Sequence, residues 1–266
     1  MEITAVKRDD VPVLSPLQPN GWVDIRPVFD FYIDSSFCFP IKVVTDHSIV
    51  GLGVVIIHND VAWLAHVIVH PDYRCRGIGL QIVRTLIGII KDNGCSTTYL
   101  IATDLGEPVY KKVGFITETT YLVHKDIVAL KDRAISDQIH RYKDKYREQL
   151  LGLDRKTSGE DRMMHLEEHL ISGRVYLCND RVEGYYLPTL GEGLIIAETE
   201  KAGIELLKLH LQYNNRVVIP QENLVARKFL EETGVGEVKA IKRMRLGEER
   251  KVLFANIYNR IGGNVG

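Results

Sequence analysis

Residues 69–79, Val-His-Pro-Asp-Tyr-Arg-Cys-Arg-Gly-Ile-Gly, combine the residue types that a chain needs to wrap an anion. An apolar run from Val61 to Val69 stops at a proline, a basic turn with two glycines follows, and a helical pattern opens at once. Glycine lets the main chain approach a ligand closely, and the first turn of a helix leaves amide N–H groups unpaired. Those amides and the positive end of the helix dipole make a seat for a phosphate or pyrophosphate. Arg74 and Arg76 add charge at its rim, while Cys75, Gly77, Ile78 and Gly79 contribute main chain.

His66 lies on the strand that feeds this turn, and an imidazole titrates where a general base is useful. It is a candidate base; the plainer alternative is a hydrogen-bonded strand histidine. His70, beside Pro71, reads as a turn residue. No neighbouring His–Asp or His–Asn arrangement supports covalent catalysis through Cys75. A different chemistry is offered by His165-Leu-Glu-Glu-His169, which puts two imidazoles one helical turn apart and could hold zinc in a metallohydrolase. Its plain alternative is a solvated helix face, and no metal is expected.

The elements that must position these groups alternate along the first half. Short strands are predicted at Ile3–Val6, Ile41–Thr45, Val50–His58 and Val61–Val69, the last two joined by an Asn59-Asp60 hairpin turn. Gly79–Lys91 carries Ile82, Val83, Leu86, Ile89 and Ile90 at helical spacing and is closed by Asn93-Gly94. A strand at Thr98–Ala102, a helix at Glu107–Val113 closed by Gly114, and a strand at Phe115–Val123 complete the half. Over 126–160, Ile135, Ile139, Tyr142, Tyr146 and Leu150 step by three or four, which predicts one long amphipathic helix. Lys156–Asp161 reads as a turn and cap for a further helix, Arg162–Ile171.

The order of the first half then recurs. Strands are predicted at Arg174–Leu177, Val182–Leu187 and Leu194–Ala197, a helix at Lys201–Leu211 and a strand at Val217–Ile219. A helix at Leu224–Thr233 closed by Gly234 and a strand at Val238–Met244 follow. The repeated order points to a duplicated unit, although few residues are shared. Where the first half has Arg-Cys-Arg-Gly-Ile-Gly, the second has Ala197-Glu-Thr-Glu-Lys-Ala-Gly203, whose glutamates would repel a pyrophosphate.

With 266 residues the chain can form two ordinary domains. A hydrophobic share of 45%, a charged share of 26% and a net charge of −1 give no footprint for nucleic acid or an anionic membrane. No apolar run is long enough to span a bilayer, and the first ten residues carry charge where a signal peptide needs an apolar core. The four cysteines lie far apart, as reduced thiols of a cytoplasmic protein would.

Arg74-Cys-Arg-Gly-Ile-Gly79 resembles the cofactor motif of the GNAT superfamily of acetyl-CoA-dependent N-acyltransferases, Arg/Gln-x-x-Gly-x-Gly/Ala at a strand–helix junction. Tyr110-Lys-Lys-Val-Gly114-Phe115 resembles that family's second landmark, a tyrosine followed by x-x-x-Gly-Phe. Both occur in the family's order, with a helix and a strand between them. The second half is similar to the degenerate second domain of tandem members, through Leu153–Arg162, Val182-Glu-Gly-Tyr-Tyr, Pro220–Asn223 and Arg243–Gly247.

The resemblance implies an α/β sandwich of two GNAT-like domains. Each would hold a mixed, mostly antiparallel sheet splayed at the cofactor strand and flanked by helices. The expected division is 1–126, with the CoA site, and 127–266, degenerate. The resemblance also implies that the amides of residues 74–79 hold the CoA pyrophosphate and that Val67 to Val69 pair with the pantetheine arm. Tyr110 would protonate the departing thiolate, and a primary amine, most simply of a small molecule, would attack acetyl-CoA directly. Pro16–Asp34, with Trp22 and other aromatics, would shape the acceptor side. A non-catalytic CoA-binding or ligand-sensing module is the alternative, and the oligomeric state stays open.

Overall fold

A computed structural model describes residues 1–127, 134–234, 236 and 239–266. The chain divides into two compact units. The first comprises 1–117, 244–249 and 263–265; the second comprises 118–243, 250–262 and residue 266. The sequence suggests a single cut after residue 126, whereas these units are discontinuous, because late segments of the chain join the first unit.

The first unit runs β1 (Glu2–Ala5), a 3-10 segment (Arg8–Leu17), α1 (Arg26–Asp34), β2 (Cys38–Thr45), β3 (Ser48–His58) and β4 (Val61–Val69). It continues with α2 (Ile78–Asp92), β5 (Thr97–Ala102) and α3 (Glu107–Lys112). The sheet order is β1-β2-β3-β4-β5, antiparallel as far as β4, with β5 parallel to β4. The Asn59-Asp60 turn forms as the sequence predicts, with Asn59 at a φ of +56°. The apolar stripe of α2 (Ile78, Ile82, Val83, Leu86 and Ile90) is buried on the sheet against Val43, Val50, Ala62, Leu64 and Leu100. The approach is close. A Cβ on Gly53 would lie 2.6 Å from Ile82, and one on Gly51 would lie 2.9 Å from it. Bare glycines in β3 let the helix settle onto the strand that flanks β4.

β6 (Ile116–His124) begins in the first unit and passes into the second at Glu118. Next come β7 (Ile139–Arg141), α4 (Arg147–Ser158), α5 (Met163–Leu166), β8 (Arg174–Cys178), β9 (Arg181–Leu187) and β10 (Leu194–Ala197). α6 (Glu200–Leu211), β11 (Val217–Pro220), α7 (Leu224–Glu232), β12 (Lys239–Gly247) and β13 (Ile257–Asn259) follow. Within the second unit one sheet has the order β13-β10-β9-β8-β7, and β11 pairs antiparallel with β6. β12 passes the other way, its residues from Met244 onward belonging to the first unit, where Glu248 N–H reaches the Ser96 carbonyl at 3.0 Å.

The long helix expected over 126–160 is replaced by shorter pieces. Residues 128–133 of that span lie outside the described residues, as does Val238 at the expected start of the last strand. Ile139–Arg141 form an edge strand antiparallel to Arg174–Tyr176, and among the described residues of the span only Arg147–Ser158 are α-helical. Ser136 breaks the periodic stripe, because its hydroxyl takes the Gln138 amide (3.3 Å) and its carbonyl the Ile139 amide (3.0 Å). Such local bonds compete with helix, and β-branched Ile139 then fits the sheet. The helix expected at Arg162–Ile171 starts as α5 and tightens into a 3-10 segment over Glu167–Ser172.

Candidate active site

Parallel pairing of β4 with β5 covers Val61–Leu64 against Thr97–Leu100 and ends there. Beyond it β4 runs on through Ala65, His66, Val67, Ile68 and Val69 without that neighbour, so its edge is open over this stretch. On the other side the register to β3 shifts: Leu52 faces Ile68 while Val54 faces Ala65. His66 and Val67 therefore bulge opposite Gly53, and His66 sits at a φ of +49°. A bulge at a non-glycine positive φ re-aims side chains and stores strain, and such positions concentrate at functional sites.

The basic turn continues directly from this edge. Pro71–Tyr73 form one 3-10 turn, capped by the His70 imidazole, which accepts from the Asp72 amide at 3.3 Å. Arg74 is exposed, and its Nε donates to the Val69 carbonyl at 3.1 Å. Arg76 lies over the Tyr73 ring, 5.1 Å from its centre. Cys75 is exposed at a φ of +60°, and Gly77, the cap of α2, is at +81°.

The first amide of α2 to reach back is Gln81, bonded to the Gly77 carbonyl at 3.1 Å, so those of Ile78, Gly79 and Leu80 have no partner inside the helix. A Cβ on Gly79 would meet Val69 at an ordinary 3.7 Å, and one on Gly77 would meet nothing within 4 Å. Packing within the chain thus demands neither glycine. Gly77 answers to the left-handed backbone, and Gly79 leaves the helix start bare for a ligand. The Ile78 side chain goes into the core, so the main chain is what it can offer an anion. The open edge, the paired cations and the free amides together fit a CoA pyrophosphate and pantetheine arm.

Tyr110 is buried on α3, edge-on to Phe115 with ring centres 5.9 Å apart. Gly106 makes room for it, since a Cβ there would come within 2.8 Å of the ring. Burial pushes the phenol up to about 12, so it keeps its proton near neutral pH.

His66 sits among aromatic rings: Tyr32 at 5.5 Å, Trp22 at 5.7 Å and Phe29 at 5.8 Å. Burial pulls its pKa down to about 4, so the ring is uncharged at neutral pH. Its Nδ1 lies 3.1 Å from the Tyr32 hydroxyl, and Asn264 Nδ2 lies 3.2 Å from the same hydroxyl. The expectation that Pro16–Asp34 shapes the acceptor side does not by itself link Tyr32 to His66. The Phe29/Tyr32 spacing on α1 signals only a buried face, and nothing in the sequence points to Asn264.

The second unit arranges the corresponding elements differently. β13 lies between β10 and β11. It pairs with Ile195 and Ile196 on one side, and Arg260 N–H bonds to the Val218 carbonyl (3.2 Å) on the other. Asn259 accepts from the Val218 amide at 2.9 Å and donates to the Glu192 and Gly193 carbonyls at 2.7 and 2.9 Å. Tyr258 covers the start of α6, where a Cβ on Gly203 would fall 2.0 Å from its ring. The Thr199 hydroxyl caps that helix by accepting from the Ala202 amide at 3.4 Å. Glu198 binds Arg181 and, at 3.2 Å, Lys156.

His165 and His169 fall on either side of the change from α to 3-10 helix, which spoils the one-turn spacing of the two imidazoles. His169 Nδ1 is engaged with the Thr189 hydroxyl at 2.8 Å. Among the described residues no three His, Cys, Asp or Glu side chains gather as a metal site, and no helix is long and apolar enough to cross a membrane.

A bulged, half-open strand that runs into a glycine-capped helix is a geometry suited to an extended ligand ending in a pyrophosphate. Residues 9–115 match the acetyltransferase (GNAT) family. A candidate acetyltransferase of Pyrococcus horikoshii is similar in fold over 100% of this chain and 95% of its own, at 21% identity and a TM-score of 0.83. A GCN5-related N-acetyltransferase of Sphaerobacter thermophilus is similar over 95% of this chain and 97% of its own, at 14% identity and a TM-score of 0.65. A tandem GNAT protein from the clavulanic acid biosynthesis pathway is similar over 94% and 99%, at 13% identity and a TM-score of 0.62. No curated protein sequence matches the chain.

Proposed function

We propose that this enzyme moves the acetyl group of acetyl-CoA to a primary amine of a small molecule, by direct attack while both are bound to the first unit. The observation that carries the reading is the open β4 edge at Ala65–Val69, which leads into the free amides of Ile78, Gly79 and Leu80. Val67 and Val69 offer that edge to the pantetheine arm. The turn from Arg74 through Cys75, Arg76 and Gly77 to Gly79 receives the pyrophosphate. Such a seat lends its binding energy to holding the acetyl carbon where the amine can reach it.

In the transfer, the amine nitrogen bonds to the acetyl carbon as the carbon–sulfur bond breaks. Tyr110, protonated near neutral pH, gives its proton to the leaving sulfur and regains one from water. The nitrogen releases its extra proton to solvent, so an amide and a free thiol result. His66 stands on the same bulged strand with Trp22, Phe29 and Tyr32 around it, and these rings form the wall proposed for the acceptor.

The test is calorimetric titration of the protein with acetyl-CoA, followed by thiol release on a panel of small amines. One equivalent bound with turnover on some amine is the expected result. Gly77→Glu, which puts a carboxylate and a Cβ at the left-handed cap, should abolish binding. Binding without thiol release on any amine would favour a CoA-sensing module, and full affinity in Gly77→Glu would overturn the seat.

A further inference from the structure

Three polar groups of the first unit meet in a line. Asn264 Nδ2 is 3.2 Å from the Tyr32 hydroxyl oxygen, and that oxygen is 3.1 Å from His66 Nδ1. An amide N–H only donates, so the phenol oxygen accepts from Asn264. A donor placed on a hydroxyl oxygen polarises it and strengthens the hydroxyl as a donor in turn. The acceptor within reach of the single Tyr32 proton is His66 Nδ1. That nitrogen must then be bare, and a neutral imidazole with a bare Nδ1 carries its proton on Nε2.

We propose that Asn264 is a positioning residue: through the Tyr32 hydroxyl it holds His66 as the Nε2–H tautomer, so the ring offers the reacting centre a hydrogen-bond donor in place of a base. Burial favours the uncharged ring, and with it a choice between two tautomers that the chain can set. Val265, next to Asn264, is buried in the first unit and anchors the amide. Tyr32 is itself buried and edge-on to Phe29, with ring centres 5.6 Å apart, which fixes the middle of the line.

What the donor does rests on the transfer proposed above. As the amine attacks, an electron pair moves onto the acetyl oxygen, and an N–H aimed there stabilises the growing charge with no proton passing to the ring. The amine proton leaves to water as before, so the balance of the reaction is unchanged. The tautomer is a property of the resting protein and can be read without any turnover.

The experiment is two-bond proton–nitrogen NMR of the full chain carrying 15N-histidine, with His66→Gln to assign the ring. The wild-type ring should show the Nε2–H pattern. Asn264→Asp replaces the donor by a group that only accepts, so it should take the Tyr32 proton and turn His66 to Nδ1–H. Asn264→Gln, which keeps a donor, should preserve the wild-type pattern. A wild-type ring already in the Nδ1–H form, or one unmoved by Asn264→Asp, would overturn the assignment. In steady state, Asn264→Asp should lower kcat about 100-fold or more, the order of losing one oxyanion donor, with the KM for acetyl-CoA unchanged. Should the protein transfer no acetyl group, the kinetic arm falls with the functional reading, and the spectra still decide the tautomer.

Discussion

The two units contain the same succession of hairpin, strand, helix, strand and helix, yet one has an open strand edge and the other a filled one. In the first, β4 parts from β5 after Leu64 and leads to a helix start with bare glycines. In the second, β13 closes the gap between β10 and β11, and Tyr258 lies on Gly203 in the first turn of α6. The polar groups differ in parallel. Tyr110 stands four residues before the closing Gly114, while Leu230 stands four before Gly234. β4 carries His66 in its bulge, whereas β10 is Leu-Ile-Ile-Ala, buried throughout. The same succession of elements thus leaves a strand edge unpaired in one unit and filled by the chain itself in the other.

Three substitutions or titrations bear on this contrast. Tyr110→Phe makes the first unit resemble the second at the proposed acid. Thiol release should fall about 100-fold, as for loss of a positioned acid, with acetyl-CoA affinity little changed in calorimetry. Wild-type turnover in that variant would remove Tyr110 from the mechanism.

A smaller effect is expected from Gly203→Ala. Its methyl would collide with the Tyr258 ring, so overpacking should cost about 1–3 kcal/mol in urea denaturation. Acetyl-CoA affinity should stay at the wild-type value, and a loss like that expected for Gly77→Glu would break the contrast between the slots.

The smallest signal is the His66 titration. The imidazole is held at about 4 against an ordinary 6.5, so the unfolded chain takes up its proton first as pH falls. The stability tied to the neutral ring is fully present above pH 6.5 and declines between 6.5 and about 4. Histidine NMR should show no His66 inflection near 6.5; one at that value would place the ring in water.

Much of the architecture could be read from local pattern. The strand Val61–Val69 and the strand Leu194–Ala197 match the expected bounds, since each is an apolar run between turn residues. The Asn179-Asp180 turn is left-handed at both residues, as a tight hairpin requires. The stripe over 126–160 misled because Ile139 and Tyr142 keep helical spacing while the Ser136 turn and pairing with β8 set the backbone. Around the proposed site, the glycine-capped turn at 74–79 and the short helix that carries Tyr110 could be read from compact motifs. Tyr32 and Asn264 could not, since their meaning lies in a hydrogen bond across 232 positions of sequence.

The sequence by itself determined the periodicities, the glycine-capped helix after β4 and the cations beside it, because these depend on neighbours within a few residues. Only the tertiary structure decided which strand edge stays open, that β13 fills the other, and that Asn264 reaches the ring of His66 through Tyr32. Those outcomes turn on which distant segments satisfy each backbone and side-chain hydrogen bond, and no local spacing records that competition.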